Sequence, residues 1–396
     1  MKMKKGEFIA LSACTMMLTA LGIDIMLPVF GELKKYFHLS VNSTATAQIV
    51  TFFFLGQTAQ IIFGVLSDRF GRLAILRLGF PLYIIGGTAA TFAPSLALMF
   101  TARFVAGIGA SAVFMTTIAG VRDRFAGDQM ARTLSLIFTI FLSTPVFAPF
   151  LGLAIMSIAS WHMVFLTPPL FAVIVFVWSL RLEESHPKEK RNALNWNSFT
   201  KSIRKVLSNK TFLRYTCITT ALFAGLSSWV SSSEHIVSEI YRKPNLFAWI
   251  FAATGLWMAL STLTNARLSI KFGARQTIKW LLIIYTSIAT ILLIWSIIFG
   301  DPPQMIMFFI SVAMLMGINL AVEPNSSALA MQPMGETAGI ASAVYGTFFF
   351  FVGASFGSIT SSLMKSSVFP IIISFFIAGI ITLILVFTDK RPITSQ

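Results

Sequence analysis

A chain of 396 residues that is 56% apolar and only 11% charged cannot be an ordinary water-soluble fold, because soluble domains carry roughly 25% charged residues. Its net charge of +15 would suit nucleic acid if the basic residues shared one face. They fall instead in short clusters between apolar runs, and mean hydropathy is +0.80, so a lipid bilayer is the expected partner and nucleic acid is not.

A membrane-crossing helix takes roughly 20 mostly apolar residues, so about twelve crossings fill this length. The start, Met1 to Lys5 and then apolar Phe8 to Leu27, reads as the first of them and not as a cleaved leader. Its apolar run is longer than a signal core, contains Asp24 and ends in Pro28 and Phe30 where small residues would be needed. Spans follow from the apolar runs near 8–30, 45–66, 74–93, 96–121, 131–154 and 160–180, and again near 212–233, 245–265, 276–299, 304–330, 338–362 and 367–387. The expected fold is all-α, with an N-terminal six-helix half over 1–180, a hydrophilic linker over 181–211 and a C-terminal six-helix half over 212–396.

Lysine and arginine divide 24 to 5 between the alternate sides of these spans, which places both termini in the cytoplasm. The halves echo each other: Leu66-Ser-Asp-Arg-Phe-Gly71 follows the second span and Leu268-Ser-Ile-Lys-Phe-Gly273 follows the eighth. Parallel repeats of this kind carry their substrate site near the repeat interface.

Charges and helix breakers inside the spans mark the candidate site. Asp24 lies in the first span and Arg103 in the fourth, at similar depth by a rise of about 1.5 Å per residue. Intramembrane charges usually face a cavity or a partner, so Asp24 either loads and releases protons or forms a static pair with Arg103. Gly64-Val-Leu-Ser-Asp-Arg-Phe-Gly-Arg72 joins the second and third spans. Gly64 allows close helix contact, Gly71 a turn with positive φ, Asp68 can cap or charge-complement the next helix, and Arg69 and Arg72 hold the loop inside. The fifth span holds Pro145, Pro149 and Gly152, and the tenth holds Glu323, which either faces a site or snorkels to the cytoplasmic end. Of the 39 phenylalanines, Phe54 and Phe348 are candidates for an apolar pocket lining.

The Gly64–Arg72 stretch resembles the loop between helices 2 and 3 of the major facilitator superfamily, and Arg103-Phe-Val-Ala-Gly-Ile-Gly109 is similar to its fourth-helix pattern. Ser143-Thr-Pro-Val-Phe-Ala-Pro-Phe-Leu-Gly152 resembles the antiporter motif of drug and proton exchangers, with Ala148 where the family has glycine. Asp24-Ile-Met-Leu-Pro28 and Ala338-Gly-Ile-Ala-Ser-Ala343 look like the bicyclomycin and chloramphenicol resistance branch, from which Trp161-His162 departs where that branch has Trp-Arg. The resemblance implies a monomeric bacterial inner-membrane antiporter exporting amphipathic or drug-like molecules, with the proton as coupling ion, no other cofactor, and Asp24 and Arg103 as the coupling pair. A specific exporter or importer of one metabolite, siderophore or nutrient uses the same fold and stays open. An enzyme or metal centre is not expected: His38, His162, His186 and His235 lie in separate segments, and Cys14 and Cys217 form no disulfide pattern.

Overall fold

The structure, a computed structural model, describes residues 3–187, 189 and 196–389. Lys2, Lys188, Lys190, Arg191, Lys390 and Arg391, all used in the charge count, lie outside the described residues. Two compact units emerge, one of residues 1–40 and 48–200, the other of 41–47 and 201–396. Among the described residues no strand is present, and every long element is a helix.

In the first unit, α1 (Lys5–Asp24) continues through a 3₁₀ turn at Leu27–Val29 into α2 (Phe30–Tyr36). Pro28 has no N–H for the carbonyl of residue 24 four positions back, so α1 stops at Asp24. The second span is likewise split: α3 (Ala47–Gly56) and α4 (Gln60–Phe70) are joined by a 3₁₀ turn at Gln57–Ala59. Then come α5 (Arg72–Thr91), α6 (Leu96–Arg124), α7 (Gly127–Ile158) and α8 (Trp161–Ser179). Each predicted span of this half is found within a few residues of its expected ends, apart from the extension of the first to Tyr36.

Glycines set how these helices touch. A Cβ on Gly107 of α6 would stand 2.1 Å from the Phe53 carbonyl oxygen, and one on Gly56 of α3 would stand 2.2 Å from the Phe104 oxygen. On the other side of α6, a Cβ on Gly109 would meet the Tyr83 nitrogen at 2.2 Å. The backbones of α3, α6 and α5 therefore pack without intervening side chains, which is how helices associate where lipid supplies no hydrophobic drive between them. Pro168 and Pro169 lie inside α8, and the flat ring of Pro169 fills the space over Gly87 of α5, where a Cβ would lie 3.2–3.3 Å from its carbons.

The linker contains α9 (Trp196–Leu207), a helix the hydrophilic reading did not anticipate. The second unit then runs α10 (Lys210–His235), a π turn at Ile236–Ile240, α11 (Phe247–Phe272), α12 (Ala274–Phe299), α13 (Met305–Met331), α14 (Ala338–Leu363) and α15 (Phe369–Phe387). Eleven stretches among the described residues are long and apolar enough to cross a membrane, and α10 is not one of them. Its serines and threonines are buried against neighbours: Ser228 Oγ donates to the Gly357 oxygen at 3.2 Å and Ser231 Oγ meets Ser361 Oγ at 2.9 Å. A helix wrapped by protein needs no apolar surface for lipid, so its composition understates its place in the bundle. Asn325 Nδ2 donates to Asn265 Oδ1 at 2.7 Å, and Ser269 Oγ to Asn325 Oδ1 at 2.9 Å, linking α13 to α11.

Gly107→Val should prevent recovery of folded protein, since its Cβ has nowhere to go and overpacking costs about 1–3 kcal/mol or more. Gly339→Val, with open space around the Cβ position, should leave a monodisperse peak in fluorescence-detected size exclusion. Equal recovery of both would refute the close crossing.

Candidate functional site

Arg103 lies on α6, one turn before Gly107, and is 3% exposed. Because α6 packs so closely on α3, its guanidinium lies over the Phe53 ring, 4.5 Å from the centroid. Its Nη2 donates to the Gly22 carbonyl oxygen of α1 at 2.6 Å. Tyr83 of α5 grips the same stretch of α1, donating from its hydroxyl to the Leu18 oxygen at 2.7 Å, and a Cβ on Gly22 would stand 2.5 Å from that hydroxyl. Asp24, 5% exposed, sits two residues past Gly22 at the end of α1. Among the described residues no ion pair or hydrogen bond reaches its carboxylate. The two predicted coupling residues are thus brought to one stretch of α1, but they form no static pair: Arg103 holds the helix backbone beside the acid.

The glycine of the exchanger-like segment has a structural place. A Cβ on Gly152 would stand 2.2 Å from the Ile25 oxygen, so α7, with Pro145 and Pro149 inside an unbroken helix, packs directly on the backbone that follows Asp24. Phe54 is buried in α3 and Phe348 is exposed on α14. Glu323 of α13 has a partner on the next helix: the Tyr345 hydroxyl of α14 donates to its Oε1 at 3.3 Å. Tyr345 continues into rings of Phe349 and Phe223, whose centroids lie 6.3 Å and then 4.0 Å further on. His162, the departure from Trp-Arg, stacks on Trp161 at 3.7 Å, with Tyr36 edge-on to both rings. Among the described residues no group of three His, Cys, Asp or Glu gathers to hold a metal.

At the other end of the first unit, Gly71 has φ of +95°, in a region open to glycine, and so turns α4 into α5. Arg72 is the hub of that turn. Its Nη1 meets Asp68 Oδ1 at 2.5 Å and Ser67 Oγ at 3.0 Å, and its Nε meets Asp123 Oδ2 at 3.0 Å. Asp68 therefore binds the Arg72 side chain, while the start of α5 is capped by Glu184, whose carboxylate accepts from the Arg72 and Leu73 nitrogens at 2.9 and 3.2 Å. The second unit repeats the device with different residues. Gly273 has φ of +78°, Arg275 Nε stands 3.2 Å from Asp389 Oδ2, and Arg214 Nη1 stands 3.1 Å from Asp389 Oδ1. The Tyr215 hydroxyl donates to Asp389 Oδ2 at 2.9 Å. Glu184, Asp123 and Asp389 were missed by the sequence reading; the usable signal was an acid a few residues past the sixth apolar run of each half for Glu184 and Asp389, and one just past the fourth run for Asp123.

Asp389→Ala should destabilise the protein by about 3–5 kcal/mol, because Arg214 and Arg275 lose a carboxylate whose side chain is 1% exposed. Glu184→Ala should cost about 0.5–2 kcal/mol through loss of a helix cap. Thermal unfolding of detergent-purified variants ranks the two, and a larger loss for Glu184→Ala would reverse the assignment.

Residues 12–358 match the Major Facilitator Superfamily. The chain is 28% identical over 363 residues to a bicyclomycin resistance protein homolog of Haemophilus influenzae, covering 90% of this chain and 89% of that one. It is 29% identical over 269 residues to the multidrug resistance protein MdtL of Escherichia coli, covering 67% of each. Among solved structures, the human organic anion transporter MFSD10 superposes with a TM-score of 0.72 at 16% identity over 98% of this chain and 99% of that one. A D-xylose-proton symporter does so with 0.72 at 13% identity over 98% of each. With a family match across most of its length and the helical fold of those neighbours, this chain belongs to the Major Facilitator Superfamily and is a multi-pass membrane transporter of small molecules, not an enzyme.

Proposed function

We propose that this transporter expels amphipathic, drug-like molecules in exchange for protons, by alternating access, as a monomer in a bacterial inner membrane with both termini in the cytoplasm. The observation that carries the reading is Asp24: a buried carboxylate with no ion pair or hydrogen bond among the described residues, at the broken end of α1, beside the carbonyl that anchors Arg103. A carboxylate salt-bridged at all times has no reason to release or accept a proton, whereas one flanked by a cation that is itself engaged elsewhere can do both. Inward proton movement supplies roughly 2.3 kcal/mol per charge per 100 mV, enough to drive export uphill. The names of the Haemophilus influenzae and Escherichia coli relatives support a drug as substrate.

Asp24→Asn should abolish transport driven by an imposed pH gradient in proteoliposomes while preserving insertion, because its amide carries no titratable proton. Glu323→Gln should keep the pH response and lower export of a permanent cation relative to a neutral substrate. Persistent pH-driven transport in Asp24→Asn would move coupling elsewhere, and its loss in Glu323→Gln would exchange the two roles. Counterflow with drugs and with candidate metabolites separates a drug pump from a specific metabolite carrier.

Orientation rests on the charge division and is checked by labelling. In a chain without Cys14 and Cys217, a cysteine at exposed Ile270 should react with an impermeant maleimide only after the membrane is opened, and one at exposed Asn42 in intact cells. The reverse pattern would invert the topology.

A further inference from the structure

We infer that Gln57 and Gln60, with Arg103, form a hydrogen-bonding face for substrates rich in carbonyl, ether and hydroxyl oxygens. This rests on the transport reading above and names the chemistry of what is carried. The two glutamines are 1% and 4% exposed, yet Nε2 of each finds no acceptor among the described residues, and the same is true of Arg103 Nε. A leucine at either position would fill the space without burying an amide, and amides buried without partners are costly.

The three groups share a location. Residues three and four apart on a helix are neighbours, so Phe53, Gln57 and Gln60 lie on one stripe of the α3–α4 span. Arg103 lies over the Phe53 ring at the head of that stripe. At about 1.5 Å of rise per residue, the glutamines follow about 6 and 10 Å further along. Gly56, against the Phe104 oxygen and the Gly107 backbone, fixes this stretch to α6, so the stripe cannot slide from the arginine. The helix changes to a 3₁₀ turn over Gln57–Ala59, the kind of mid-helix irregularity that marks functional segments.

The chemistry selects the ligand. Each amide offers two N–H donors and one acceptor, and Arg103 adds a charged donor. Such a row receives oxygens along its length and can answer a hydroxyl with an amide oxygen. A hydrocarbon cation without acceptors gains nothing from it and is repelled by the guanidinium.

The test uses full-length protein with Gln57→Met, Gln60→Met and the double substitution, each preserving bulk while removing the amide. The probes are bicyclomycin, neutral and dense in carbonyl and hydroxyl oxygens, and tetraphenylphosphonium, a cation with no acceptor. In a strain lacking its own efflux pumps, each single substitution should lower protection against bicyclomycin by about tenfold, as expected for one lost substrate hydrogen bond. Protection against tetraphenylphosphonium should stay within about twofold, as expected of a surface that makes no bond to it. Without substrate, the melting temperature of each purified variant should equal or exceed that of wild type, because an amide with no protein partner is lost at no structural cost. A fall in melting temperature would make the glutamines structural, and parallel losses for both probes, or none, would overturn the site. Wild-type protection against tetraphenylphosphonium alone would overturn the substrate class. Protection against neither probe would overturn the export reading itself.

Discussion

A guanidinium buried in the middle of a helical bundle must find acceptors there, because neither lipid nor hydrocarbon side chains can solvate it. Arg103 meets this constraint with a backbone carbonyl, that of Gly22, and with the face of the Phe53 ring. Both partners require short distances, and the short distances require glycine. Gly107 brings α6 onto α3, and Gly22 brings α1 under Tyr83. The position of Asp24 follows from the same contact, since the residue whose carbonyl binds Arg103 is two places earlier on the same helix. The arginine orders the backbone next to the acid without pairing with its carboxyl group.

The turns that carry the basic residues solve a second problem, that of ending one membrane helix and starting the next within a single residue. Gly71 and Gly273 supply a backbone conformation costly for other residues, and each turn is then held by an acid from beyond the sixth helix of its own unit. In the first unit that acid caps the new helix through its N–H groups. In the second it pairs with side chains of Arg214 and Arg275. The same mechanical result is reached by different hydrogen bonds, so the repeat is one of geometry more than of residue identity.

Polar groups in the interior divide into those that hold the fold and those that do not. Asn265 and Asn325 satisfy each other, and Ser228 and Ser231 of α10 bond to α14. Gln57 and Gln60 do neither with their amide nitrogens. Departures from local optimality of this kind concentrate where a protein works on something else, which is why the last two glutamines bear on function and the asparagines on stability.

Much of this was legible in the residues alone. Apolar runs between polar breaks outlined the long helices, because a bilayer of given thickness demands a given run, although α10, with its serines and threonines, falls short of a membrane-crossing composition. The Gly71 turn and the burial of Asp24 and Arg103 followed from spacing and from the rarity of charge in a span. The break of α1 at Asp24, inside a first span read as 8–30, came only with the structure. Tertiary structure decided the rest. Whether Asp24 and Arg103 pair depends on distances of a few ångströms between helices distant in sequence, and periodicity carries no such information. That Glu184 and Asp389 hold the turns, and that Pro169 packs on Gly87, likewise depends on which segments the packing of helices brings together. The partnerless amides of Gln57 and Gln60 were invisible for the same reason: a glutamine in an apolar run reads alike whether or not a neighbour answers it, and only packing reveals that none does.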